Sequence, residues 1–337
     1  MKFSKSYISS IGYELGPNVV SSSSLEARIM PVYQALRMPP GQLEALTGIR
    51  QRRWWNPGFR LSEGAAAAGR KALETAGVQP SELGILIYAG VCRENSEPAT
   101  ACPVADLLKV GQDTEVIDIA NACLGVINGI LHVARAIELG QIRAGLVVTC
   151  ESAREINESM IQSMLQNPTF DHFKLSMPTL TGGAGAAAVV VTDGSFSGPR
   201  HRLLAGVCKA EPRHHELCRW NRDFMQTDAA AVLKNGVELG RRTWASLMEE
   251  TGWTPSSVDK VLCHQVGGPH RSSVLGAIGI TEDKDFSTFE FLGNMGTAAL
   301  PVTAAIAEER EFLRPGNKAC FLGIGSGLNC LMLGVEW

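Results

Sequence analysis

The chain has 337 residues, 45% of them hydrophobic, and a formal charge of −3 near neutral pH. That length buries large cores and leads us to expect about two domains, while the near-neutral balance argues against a surface built for nucleic acid or an anionic membrane. No apolar run reaches the roughly 18 residues of a membrane-spanning helix, Met1–Ser6 lacks the apolar core of a signal peptide, and nine cysteines without paired spacing point to reduced thiols in a cytoplasm.

In chain order, the first chemical segment is Thr47-Gly-Ile-Arg-Gln-Arg-Arg-Trp54, a cationic stretch able to attract phosphates. Its candidate binding residues are Arg50, Arg52 and Trp54; an exposed charged turn and a core tryptophan are the alternatives. Leu73 to Tyr88 reads as a helix stopped at Gly77, a turn, and a buried strand. Val91 to Ala101 is a loop carrying Glu97 before Pro98. Thr114-Glu-Val-Ile-Asp118 is a short buried strand, and Val126 to Leu139 is apolar at helical spacing and stops at Gly140. Cys123 therefore lies where a strand hands over to a helix. Free N–H groups and the helix dipole favour a thiolate there, and Ala122 and Gly125 leave room for a substrate.

Gly183-Ala-Gly-Ala-Ala-Ala188 has dinucleotide-site spacing, but Val189-Val-Val191 follows, so the glycines open a strand rather than a helix. Asp193 to Pro199 is turn-rich. His214-His-Glu-Leu-Cys218 has metal-ligand residue types without metal-site spacing, so no metal is expected and a solvated or lid segment is. His264 ends the strand of Lys260 to His270, Asn294 sits between glycines just before a helix, and Gly323-Ile-Gly-Ser-Gly327 forms a loop near the C-terminus.

The chain also repeats. Leu73 to Tyr88 matches Met248 to Cys263, with Gly77, Pro80 and Ser81 aligning with Gly252, Pro255 and Ser256 at one constant offset. Leu139 to Val148 against Arg314 to Gly323 is a second pair in the same order. Two similar α/β halves are expected, 1–195 and 200–337.

Cys, His and Asn, each at the end of an element, make a nucleophile, a base and a polar orienter. With the 323–327 loop, these segments resemble the thiolase-superfamily condensing enzymes of the β-ketoacyl-ACP synthase III type. The chain is most similar to those that join two acyl-CoA molecules head to head in bacterial long-chain olefin synthesis. The resemblance runs from Ser10-Ile-Gly12 to the C-terminal strand. It implies a duplicated thiolase-like α-β-α-β-α fold, with helices buried between two sheets and the site between the halves.

It also implies an acyl-enzyme on Cys123, an enolate held by His264 and Asn294, and an oxyanion site made by the Cys123 amide and the loop Gly323, Ile324, Gly325 and Ser326. Ser326 is a hydrogen-bonding candidate by the same match; a turn serine is the other reading. In the head-to-head enzymes a glutamate of a Glu-Pro segment reaches the site from the partner subunit as the base. Here that residue is Glu97, in a homodimer; a solvated loop residue is its alternative.

The implied substrate is acyl-CoA, with acyl carrier protein as an alternative carrier, and no bound cofactor. The tryptophan and arginine that commonly hold the CoA adenine are replaced by Gln42 and Leu46, so those contacts do not carry over. Two other reactions stay open, decarboxylating condensation with malonyl-ACP and acyl transfer to oxygen or nitrogen, as does a different class, a silent scaffold subunit. The intact Cys/His/Asn set argues against the last.

Overall fold

A computed structural model describes residues 1–221 and 224–337. Its strands are β1 (Tyr7–Leu15), β2 (Asn18–Ser21), β3 (Gln51–Trp54), β4 (Ile85–Tyr88), β5 (Glu115–Asp118), β6 (Ala144–Glu151), β7 (Gly185–Thr192), β8 (His201–Ala210), β9 (Cys218–Trp220), β10 (Met225–Thr227), β11 (Lys260–Cys263), β12 (Lys318–Gly325) and β13 (Asn329–Glu336). Nine form one sheet in the order β11-β12-β13-β8-β1-β7-β6-β4-β5. Read outward from the β8–β1 seam, both arms run antiparallel, antiparallel, parallel, and β5 extends one of them. At the seam the register pairs Tyr7 with Arg202 and Ile8 with His201. The expected two sheets are thus hydrogen-bonded into one, because the lead strands of the two arms meet where each has unpaired backbone groups.

The layers follow from burial. β6 and β7 are buried at every position and read as continuous apolar runs, since helices cover both faces. Helices Leu61–Ala76 and Ala101–Leu108 cover the outer face of one arm. Ala229–Thr251 and Gly268–Ile278 cover the outer face of the other. Helices Gly125–Glu138 and Ala299–Glu309 lie between the arms, in one core containing Ile87 and Val147 from one arm with Phe321 and Leu333 from the other. Five layers result, α-β-α-β-α. The central helix lies close to β6: a Cβ at Gly129 would come within 2.5 Å of Val147, and one at Gly145 within 2.5 Å of Val133.

The repeat is visible in detail. Gly77 and Gly252 both cap helices at φ of +66° and +71°, where a side chain would be strained. Pro80 and Pro255 then open matching 3-10 turns before β4 and β11. The strand expected to be buried before Cys123 is instead the edge strand β5, with Glu115 exposed and the rest half-buried. No helix among the described residues is long and apolar enough to cross a membrane.

Candidate active site

Cys123 sits in the turn between β5 and the central helix. Ala122 just before it has a left-handed φ of +45°. Such strain in a non-glycine residue persists only where the surroundings fix it. The fixing contacts are visible: the Asn329 side chain donates to Asn121 Oδ1 at 2.9 Å, and Asn121 Nδ2 donates to Asn128 Oδ1. The first helical turn leaves amides without partners. One of them, Val126 N–H, donates to Thr297 Oγ1 at 2.9 Å, tying the cysteine's helix to the segment that follows Asn294.

His264 follows β11, buried, its backbone N–H donating to Leu322 O at 2.8 Å. Gln265 holds this strand end against the Asn294 segment. Its Nε2 donates to Cys263 O, and its Oε1 accepts from the Thr288 and Phe289 amides at 2.8 and 3.1 Å. The Asn294 backbone is fixed by N–H to Thr181 O and by its own carbonyl accepting from Gly183, both at 2.9 Å. A Cβ at Gly183 would fall 2.2 Å from Leu292 O, so this glycine serves the close approach of the Asn294 loop. Asn294 Oδ1 accepts from Gly296 N–H at 3.0 Å, which leaves the Nδ2 amide to donate elsewhere.

Cys123, His264 and Asn294 line one cavity of about 640 Å³, with Ile324, Gly325 and Ser326 on its wall. This is the usual size for a small-molecule site. A Cβ at Gly325 would sit 3.6 Å from the Cys123 amide nitrogen and 3.1 Å from Leu124 Cγ, so the loop backbone runs beside the nucleophile's N–H. Gly323 packs against Leu124 and Ile127 behind the site. The flap formed by β9 and β10 borders the cavity through Cys218, Arg219, Trp220 and Met225.

The other expected residues lie elsewhere. Glu97 is exposed on its loop and does not line this cavity. Arg50 is exposed and paired with Glu290 at 2.9 Å. Arg52 and Trp54 correct the sequence reading. Both are interior, at 0% and 5% exposure. Arg52 Nη1 donates to Ser22 Oγ at 3.1 Å, and Trp54 packs in an apolar cluster under the Arg154 guanidinium. Alternating burial along β3 turns these two inward, leaving Leu46 and Thr47 as the part of this region that lines the cavity.

Burial also decides the electrostatics. It pushes the Cys123 thiol up to about 12, with the nearby Cys218 and Glu151 adding to the rise. The thiolate expected from the helix start is therefore not the resting form: helix-dipole help is worth about 0.3–1 kcal/mol, whereas burial shifts a group by up to about 3–5 pH units. His264 is lowered to about 3 by burial and then by His270, a second imidazole lining the cavity, which burial lowers to about 4. Both are neutral near pH 7.

The sign for stability follows from these directions. Below about pH 6.5 the unfolded chain takes up protons that these two imidazoles refuse in the fold, so acidification toward pH 4 removes stability. The melting temperature is expected to fall over that window, and to fall less steeply in His270→Gln. An unchanged slope in that variant would refute the assignment.

Sequence reading missed Glu151, Gln265 and His270. Glu151 ends β6, is 3% exposed and lines the cavity. Burial raises its carboxyl, while the Val91 and Cys92 amides, at 2.9 and 3.0 Å, hold the ionised form. Gln265 follows His264 directly, and that adjacency was the available signal. For Glu151 and His270 no local pattern announced a cavity position. Among the described residues no group of three or more His, Cys, Asp or Glu is placed to hold a metal.

Residues 248–337 match the family described as 3-oxoacyl-[acyl-carrier-protein (ACP)] synthase III C terminal. The whole chain is 52% identical over 349 residues to the acyl-CoA:acyl-CoA alkyltransferase of Shewanella oneidensis, covering 100% of both. The chain belongs to the acyl-CoA:acyl-CoA alkyltransferase family. A second alkyltransferase, from Xanthomonas campestris, is 33% identical with 100% of both chains covered. The crystal structure of cerulenin-bound Xanthomonas campestris OleA superposes with a TM-score of 0.97, at 33% identity, over 100% of this chain and 98% of that one. Membership of the alkyltransferase family makes the protein a thiolase-fold acyltransferase.

Proposed function

We propose that the protein joins two acyl-CoA molecules by a non-decarboxylative Claisen condensation through an acyl-enzyme on Cys123, working as a homodimer in which Glu97 enters the partner's site. The observation that carries this reading is the convergence of Cys123, His264 and Asn294 on one cavity, with the Gly325 backbone beside the Cys123 amide.

The Cys123 sulfur attacks the carbonyl carbon of the first thioester. Its proton moves to His264 in step with C–S bond formation, so no free thiolate has to form in the buried site. The Cys123 N–H and an amide of the Gly325–Ser326 turn face the oxyanion. The tetrahedral species collapses, CoA leaves as its thiolate, and the proton on His264 completes the CoA thiol. Glu97 then removes an α-proton from the second acyl-CoA. His264 and Asn294 Nδ2 donate to the enolate oxygen, and the α-carbon attacks the acyl carbonyl. The C–S bond to Cys123 breaks, and the proton taken by Glu97 returns to the Cys123 sulfur, leaving a β-keto acyl-CoA and a free thiol. In this reading the exposed Arg50 attracts the phosphates of CoA.

Product analysis tests the reaction. Acyl-CoA alone is expected to give the β-keto product, with no increase when malonyl-ACP is added. A strict need for malonyl-ACP would assign the decarboxylating reaction instead. His264→Ala and Asn294→Ala are each expected to slow condensation about 100- to 1,000-fold, the usual cost of losing an oxyanion donor. Asn294→Ala is expected to acylate Cys123 with little loss. Intact-mass measurement of acylation beside product formation separates the two steps, and equal loss of both in Asn294→Ala would sink this division.

A further inference from the structure

The loop from Val91 to Ala101 is held at three points by three carboxylates, and only the span between the anchors projects. At its start, Glu151 accepts from the Val91 and Cys92 amides at 2.9 and 3.0 Å. Tyr88 OH reinforces this anchor, its one proton shared between Cys92 O and Cys150 O, both at 2.8 Å. Next, Glu94 Oε1 accepts from the Ser62 amide and hydroxyl, both at 2.7 Å, at the N-terminus of helix Leu61–Ala76. At the far end, Asp118 accepts from the Thr100 and Ala101 amides at 3.0 and 2.9 Å. From Asn95 through Pro98 every residue is exposed, and Glu97 lies in that span.

A flexible surface loop needs no such fixing. Charge-assisted hydrogen bonds from paired backbone amides are the strong kind, and here they secure the roots of a loop whose tip makes no contact with its own cavity. Glu151 and Asp118 end neighbouring parts of the same sheet, β6 and β5, so the anchors are as rigid as the sheet itself.

We propose that Glu151, Glu94 and Asp118 are positioning residues that hold the 91–101 loop so that its tip presents Glu97 to the partner's cavity at a fixed place. This rests on the reading of Glu97 as the α-carbon base acting across a dimer. None of the three touches the reacting atoms in this role. Each acts through the loop, on the partner's site rather than on its own chain's Cys123.

The test uses full-length Glu94→Ala and Asp118→Asn, the two anchors that lie outside the cavity. In each, acylation of Cys123 by acyl-CoA, read by intact mass, is expected within about twofold of the unaltered protein. Condensation is expected to slow about 10- to 100-fold, because a base displaced by about 1 Å costs that much. Mixing either variant with Cys123→Ala protomers is expected to restore product, since the Cys123→Ala chain brings a well-held Glu97 to the variant's intact cysteine. Three results would overturn the proposal: unimpaired condensation in either folded variant, acylation lost in step with condensation, or no restoration on mixing although Glu97→Gln mixed with Cys123→Ala does recover. Full activity of Glu97→Gln by itself would instead overturn the reading of Glu97. Should Asp118→Asn fail to fold, Glu94→Ala carries the same test.

Discussion

Cys123→Ala is expected to abolish both half-reactions, lowering product formation by at least about 10,000-fold, the scale seen when a nucleophile is removed from a covalent mechanism. In the unaltered protein, peptide mapping after exposure to acyl-CoA is expected to find the acyl mass on Cys123 alone. The competing thiols are disfavoured by place. Cys150, Cys263, Cys320 and Cys330 are buried, and Cys102 and Cys208 are on the surface away from the cavity. Cys92 and Cys218 do line the cavity, but Cys92 exchanges hydrogen bonds with the Ser152 backbone and Cys218 lies beside Thr227 Oγ1. Cys123→Ser is expected to fail as well, since an alcohol is far less ionised than a thiol. Acyl mass on another cysteine together with normal turnover in Cys123→Ala would end the mechanism.

Glu97→Gln is expected to leave acylation intact and to slow condensation about 100- to 10,000-fold, the range of general-base assistance. The substitution keeps size and hydrogen-bonding capacity and removes basicity, and the exposed position makes a folding defect an unsuitable explanation. Mixed with Cys123→Ala protomers, it should regain activity at one of the two sites of each mixed dimer, the one that owns Cys123 and receives an unaltered Glu97. Retained activity in Glu97→Gln with malonyl-ACP as extender would point to decarboxylation as the source of the enolate.

Cys123, His264 and Asn294 were legible because each stands where a periodic segment ends among small residues, and element ends are where side chains meet across a layered sheet. The helix after Cys123 was equally plain, from its apolar spacing and the stop at Gly140. What failed was inference about inside and outside. Among the described residues Arg52 is the largest fully buried side chain, and nothing in its cationic segment distinguished it from its exposed neighbour Arg50. Glu151 was hidden for the opposite reason. It ends an apolar strand as an ordinary polar full stop would, and its role appears only when the Val91–Cys92 turn, distant in sequence, folds over it. The state of the Cys123 thiol was misjudged because a sequence displays the helix start and not the depth of the cavity around it.

The core shared by Gly125–Glu138 and Ala299–Glu309 bears on how this protein fails when heated. Side chains from both arms of the sheet pack on the same two helices, so neither arm keeps a closed interior once the other is lost. Melting should therefore be a single cooperative event, with catalysis surviving up to that transition and vanishing with it. A stabilising substitution on either outer helix layer should protect the whole molecule and not merely the arm that carries it.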